Sequence, residues 1–151
     1  MSSQGPRTTA TINGRPIHGM LISFPIVCFT LTLLTDFAYW QTGILMWQHF
    51  SSWLLLVGLV MGGLAAIVGF IDLIGSARIR AISSVWVHAV GNVLVLALAL
   101  VNSLIHAGDG WTAVVPWGLA LSAATVLVML VTGWLGSGLV HQHGVGVSPH
   151  E

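Results

Sequence analysis

The sequence predicts an all-α polytopic membrane protein: an antiparallel up-down bundle of four transmembrane helices. Three observations predict it. Of 151 residues, 56% are hydrophobic and 5% charged, with mean hydropathy +0.94, whereas soluble domains carry about 25% charged residues. Four apolar stretches are each long enough to cross about 30 Å of hydrocarbon. The chain's four basic side chains are all arginine and all fall on one side of those stretches.

Residues 1–16 form a polar tail ending at Arg15-Pro16. They show no basic-then-apolar signal with a cleavage site, so the first span should act as an uncleaved insertion signal. That span runs from about His18 to Trp40. Pro25 inside it predicts a kink that frees the carbonyl of Leu21. Gln41 to Met46 is a short turn. The second span covers about Trp47 to Ile74, and the loop Gly75 to Ser83 carries Arg78 and Arg80. The third span, Ser84 to His106, has only His88 and His106 as ionisable groups. The connection His106 to Gly110 contains glycine breakers. The fourth span runs from about Ala113 to Val140, with Pro116 in its first turn, where proline is tolerated. The domain is thus 17–141, followed by a tail, 142–151. Short connections predict antiparallel neighbours in one bundle. No internal repeat stands out.

Arg7 and Arg15 precede the first span, and Arg78 and Arg80 follow the second, so both termini share the arginine side. The positive-inside rule makes that side cytoplasmic. Trp40, Trp47, Trp111 and Trp117 gather at the opposite ends, with Trp86 and Trp134 near the arginines, as interfacial belts do. A formal charge of zero excludes a nucleic-acid footprint. The lone cysteine, Cys28, excludes an internal disulfide and a CxxCH haem attachment.

Each span carries a stripe at alternating steps of four and three, which is one helix face. The first gives His18, Ile22, Pro25, Phe29, Thr32 and Asp36. The second gives Leu55, Gly58, Gly62, Ala65, Gly69 and Asp72. The third gives His88, Asn92, Val95, Ala99, Asn102 and His106. The fourth gives Ser122, Thr125, Met129, Thr132, Gly136 and Leu139, pointing on to His143. Turned inward, the stripes predict two polar layers. His18, Asp72, His88 and His143 lie on the arginine side. Asp36, Asn102 and His106 lie on the far side, about 27 Å away along a helix. For the far layer, mutual polar satisfaction competes with a proton-access role. Close packing is the ordinary account of Gly58 and Gly62; Gly62 and Gly69 also leave space for a planar cofactor.

Asp72 sits in GFIDLIG at a helix C-terminus, where the dipole disfavours a carboxylate. It requires a proton, a metal or a cation, the plainest partner being Arg15, Arg78 or Arg80. Three histidines at the same depth suggest ligands, because imidazole binds haem iron and first-row metals. His88 is the best placed. His49, His141 and His150 read as structural or incidental.

The stretches RPIHGMLISFPI, GFIDLIG, WVHAVGNV and GWLGSGLVHQHGVGV resemble a bacterial family of predicted four-span membrane proteins, Domain of Unknown Function 2231, over about residues 14 to 147. The resemblance implies an inner-membrane protein in which His18, Asp72, His88, Asn92 and His143 match recurrent positions. Some relatives are fused to Rieske-type iron–sulfur domains, which implies electron transfer with quinone or a redox protein. It also leaves room for a homo-oligomer.

The first functional expectation is a b-type cytochrome with one haem between helices. His88 and either His18 or His143 would be axial, Asp72 and Asn92 would support them, and Arg15, Arg78 and Arg80 would hold the propionates. The alternative is a zinc, iron or copper ion held by His18, His88, His143 and Asp72. A proton-handling or scaffold subunit is the third reading.

Overall fold

The computed structural model describes residues 9–13, 15–108, 110–143 and 145, except for the side chains of residues 15, 142 and 143. A short ladder opens the described chain, β1 (Thr11–Ile12) paired with β2 (Arg15–Pro16). Helices follow: α1 (Ile17–Leu21), α2 (Ser23–Thr42), α3 (Leu45–Gly75), α4 (Ala77–Arg80), α5 (Ser83–His106) and α6 (Trp117–His143). A 3-10 turn, Gly110–Ala113, precedes α6.

Four segments are long and apolar enough to cross a membrane: Ile17–Thr42, Leu45–Gly75, Ser83–His106 and Gly110–His141. Most of each faces outward, with Trp53, Val90, Leu104 and Trp134 among the exposed apolar side chains. Lipid offers no hydrogen bonds, so polar groups on this surface must be satisfied locally. Thr30 and Thr42 donate to the carbonyls of Ile26 and Ala38, one turn back, at 2.7 Å each.

The first span is broken at Ile22, between α1 and α2, three residues ahead of Pro25. A proline cannot donate to the fourth residue before it, and its ring crowds that carbonyl, so the helix resets there. Pro116 stands immediately before α6, not in its first turn. The Gly75–Ser83 loop contains α4. Arg80 there donates through Nη1 to the carbonyls of Leu73 and Ile74, capping α3, where a cation suits the helix dipole.

The late turns of α2 meet the early turns of α3, because Asp36 bonds Ser51. At the other end, α1 meets late α3 through His18 and Ala65. Likewise His88, early in α5, bonds Thr132, late in α6, while Asn102, late in α5, bonds Ser122, early in α6. Phe29, Leu55, Val95, Ala99 and Met129 form the apolar centre. A second cluster, Leu73, Ile79, Val85 and Leu139, closes the arginine end.

The stripes turn inward as expected. Phe29, Thr32, Asp36, Leu55, Ala65, Asp72, Val95, Ala99, Asn102, His106, Ser122, Thr125, Met129, Thr132 and Leu139 are all buried. Two intervals recur among these contacts. Asp36 and His106 are 70 residues apart, and the same interval separates His18 from His88. A second common interval separates Ala65 from Thr132 and Gly69 from Gly136. In each half a histidine docks on the carbonyl four residues before a glycine. The residue types differ too much for this equivalence to appear in the sequence.

Candidate functional site: two polar layers

On the arginine side, His18 Nδ1 lies 2.9 Å from the carbonyl oxygen of Ala65, and His88 Nδ1 lies 2.9 Å from that of Thr132. A carbonyl only accepts, so each Nδ1 carries the hydrogen, and in the neutral ring Nε2 keeps its lone pair. Glycine makes both dockings possible. A Cβ on Gly69 would stand 3.2 Å from His18 Nδ1, and one on Gly136 would stand 2.8 Å from His88 Cε1. Gly69 therefore makes room for the His18 ring. Gly62 packs on Leu96 and Pro25, and Gly58 packs on Phe29.

The two rings meet edge to face, with centroids 6.4 Å apart. Two imidazoles bound to one metal at about 2.0 Å have centroids about 5 Å apart at a tetrahedral angle and about 6 Å apart when trans, so the spacing here is at the wide, trans end of that range. Asn92 Nδ2 donates to the His88 carbonyl at 2.8 Å and lies 3.1 Å from His88 Nε2, whose lone pair it meets. His18, His88, Asn92, Gly62, Met129 and Thr132 line one cavity of about 80 Å³. Pockets for drug-sized ligands run to about 300–1,000 Å³. Two imidazoles and a thioether are the kind of donors a metal ion takes, and the cavity as it stands is smaller than a porphyrin plate.

Asp72 meets the backbone of the incoming tail. Its Oδ1 accepts the backbone N–H groups of Thr9 at 2.6 Å and Ala10 at 2.8 Å. Thr9 also packs against Gly75, where a Cβ would not fit. Asp72 thus pins the incoming tail, and the ring N–H groups that it was expected to accept go to carbonyls of Ala65 and Thr132. Two backbone donors give Oδ1 its partners. Arg80 is occupied at the α3 terminus and Arg78 is exposed. The side chains of Arg15 and His143 lie outside the described residues. His49 and His141 are exposed, His141 bonding the Ser137 carbonyl. No group of three or more His, Cys, Asp or Glu side chains converges among the described residues.

The far layer is the more completely built of the two. Asp36 is 0% exposed and His106 2%. His106 Nε2 lies 2.8 Å from Asp36 Oδ1, and its Nδ1 lies 3.0 Å from the Asn102 carbonyl. Ser51 donates to Asp36 Oδ1 and Ser122 to Oδ2, each at 2.5 Å. Asn102 Nδ2 donates to Ser122 Oγ at 2.8 Å. Gln48 closes the layer from above, donating to the carbonyls of His106 and Gly108. Asp36, Asn102 and His106 meet where the stripes place them. Ser51 and Gln48 were missed, although extending the α3 stripe back from Leu55 by four and then three residues reaches both.

No curated protein and no solved structure matches the chain. A family model described as a predicted membrane protein, DUF2231, matches residues 14–149. That match spans both docked histidines, the tail-pinning aspartate and the whole far layer, so the chain belongs to the DUF2231 family of predicted membrane proteins.

Proposed function

We propose that this is a membrane-embedded metal-binding protein of electron transfer, with His18 and His88 supplying imidazole ligands. One observation carries the reading: two histidines on different helices line one cavity, each with Nδ1–H committed to a carbonyl and Nε2 left as a donor atom. Zinc, iron and copper all take imidazole, and the Met129 thioether lining the same cavity favours copper. Asn92 is the group that an ion displaces from His88 Nε2. His143, on α6, is the candidate for a third ligand. A bound copper or iron ion supplies one-electron chemistry, exchanged with quinone or a redox protein. By the positive-inside rule the one-sided arginines support a site on the cytoplasmic side of a bacterial inner membrane.

The ring spacing also supports a second reading, a b-type haem between His18 and His88, which requires the helices to part around the plate. Metal analysis and oxidised and dithionite-reduced spectra of protein purified from membranes separate the two. Wild type and His49→Ala should carry about one ion per chain, and His88→Ala should lose it. Reduced Soret and alpha bands in place of a bare ion establish the haem reading. Wild-type protein with neither ion nor bands sinks both.

A further inference from the structure

The far layer is not used by the proposed metal site, and an apolar centre separates the two. Phe29, Leu55, Val95, Ala99 and Met129 fill the space between them. His106 is the last residue of α5, and the next two, Ala107 and Gly108, are exposed. The layer is thus closed toward the cavity and lies within a turn of the far surface.

Its hydrogens can be placed from the partners. The Asn102 carbonyl only accepts, so His106 Nδ1 carries a hydrogen. One further proton must lie between His106 Nε2 and Asp36 Oδ1, since two bare lone pairs would repel. Ser51 and Ser122 both donate to that carboxyl group. An imidazolium facing a carboxylate and a neutral ring facing a carboxylic acid both satisfy every partner, and the two serine donors, held more strongly by carboxylate oxygens, select the first.

A second observation is independent of that pair. Asn102 is 0% exposed, and its Oδ1 is the buried side-chain atom without a partner among the described residues. Buried acceptors are rarely left unmet, and water is the usual remedy. A metal cation is a poor occupant, because an imidazolium stands beside it and both serine hydrogens already point at the carboxylate.

The groups facing the pair add no second charge. From α2 they are Thr32, Thr35 and, one turn on, Tyr39, whose buried ring lies against Trp111. From α3 they are Gln48 and Ser51, and from α6 Gly118 and Ser122; Asp109 lies outside the described residues. We propose that the far layer is a proton-binding site, holding one proton between Asp36 and His106 and exchanging it with far-side water through a water on Asn102 Oδ1. Release takes the hydrogen from Nε2 to water and leaves a carboxylate and an Nδ1–H imidazole, between which a water must enter to donate to the two bare lone pairs; uptake reverses this.

Nitrogen-15 NMR of histidine-labelled full-length protein in lipid bilayers tests the site, with His106 assigned by its loss in His106→Gln. The expected result is an imidazolium at neutral pH whose Nε2–H exchanges with deuterium, and loss of that second ring proton in Asp36→Asn. Removal of the Asn102 acceptor in Asn102→Leu should slow the exchange. A neutral His106 in wild type overturns the proposal, as does a ring proton that never exchanges, which would mark a structural clamp. A His106 signal that moves on adding sodium or potassium would instead mark an alkali-cation site. The wild-type outcomes decide even if a variant fails to fold.

Discussion

Replacing Asp36 probes the far layer most directly, because leucine and asparagine remove different things. In Asp36→Leu the donors His106 Nε2–H, Ser51 and Ser122 all lose their acceptor. His106 can shed its proton, and Ser51 can turn to Thr35 Oγ1 at 2.7 Å. Ser122 can reach only Asn102 Oδ1, and only if that amide turns over and strands its own N–H groups, and the imidazole Nε2 is left unmet. Each buried unmet group costs about 1–3 kcal/mol, so the leucine variant should lose about 3–5 kcal/mol. Asparagine fares better: its amide N–H meets the neutral His106 Nε2, and its oxygen still accepts from Ser122. That variant should lose about 1 kcal/mol. Adding His106→Leu to Asp36→Leu should recover part of the loss, because the buried ring nitrogen then disappears with its partner. Reversible unfolding in mixed micelles by denaturing detergent measures all three. An Asp36→Leu protein within about 0.5 kcal/mol of wild type, or equal losses for leucine and asparagine, would refute this account of the layer.

Two glycines of α3 offer a matched pair. A Cβ on Gly58 would stand 2.5 Å from Cε1 of the buried Phe29, whereas one on Gly63 meets nothing within 4 Å. Both alanines gain about 1 kcal/mol of helix propensity, but only Gly58→Ala overpacks, at about 1–3 kcal/mol, so it should unfold below Gly63→Ala. Equal transition temperatures would mean that Phe29 yields freely. Asp72→Leu should release Thr9 and Ala10 and speed proteolysis ahead of Ile17, with metal content unchanged. Metal lost with the tail still protected would return Asp72 to the ligand set.

The stripes at four-three spacing made the inward faces readable, including His18, His88, Asp36, Asn102 and His106. Depth along the helices was readable too, since a fixed rise per residue converts interval into height. Which polar groups at one height actually bond was not readable. Asp72 has the depth of the histidines, yet it binds backbone N–H groups of the tail. The family resemblance pointed to recurrent residues, and backbone donors leave no such mark in a side-chain pattern.

The sequence by itself determined four membrane-length helices, the inward face of each and the two heights at which polar groups gather. The reason is physical: in lipid the backbone bonds must close within each helix, so apolar length and periodicity suffice. Only the tertiary structure decided the partners. Docking His18 on the Ala65 carbonyl and His88 on that of Thr132 depends on missing side chains at Gly69 and Gly136 on neighbouring helices. Surrounding Asp36 with His106, Ser51 and Ser122 depends on contacts among four helices. Such contacts are set by distances of a few tenths of an ångström between elements far apart in the chain, which no local pattern encodes.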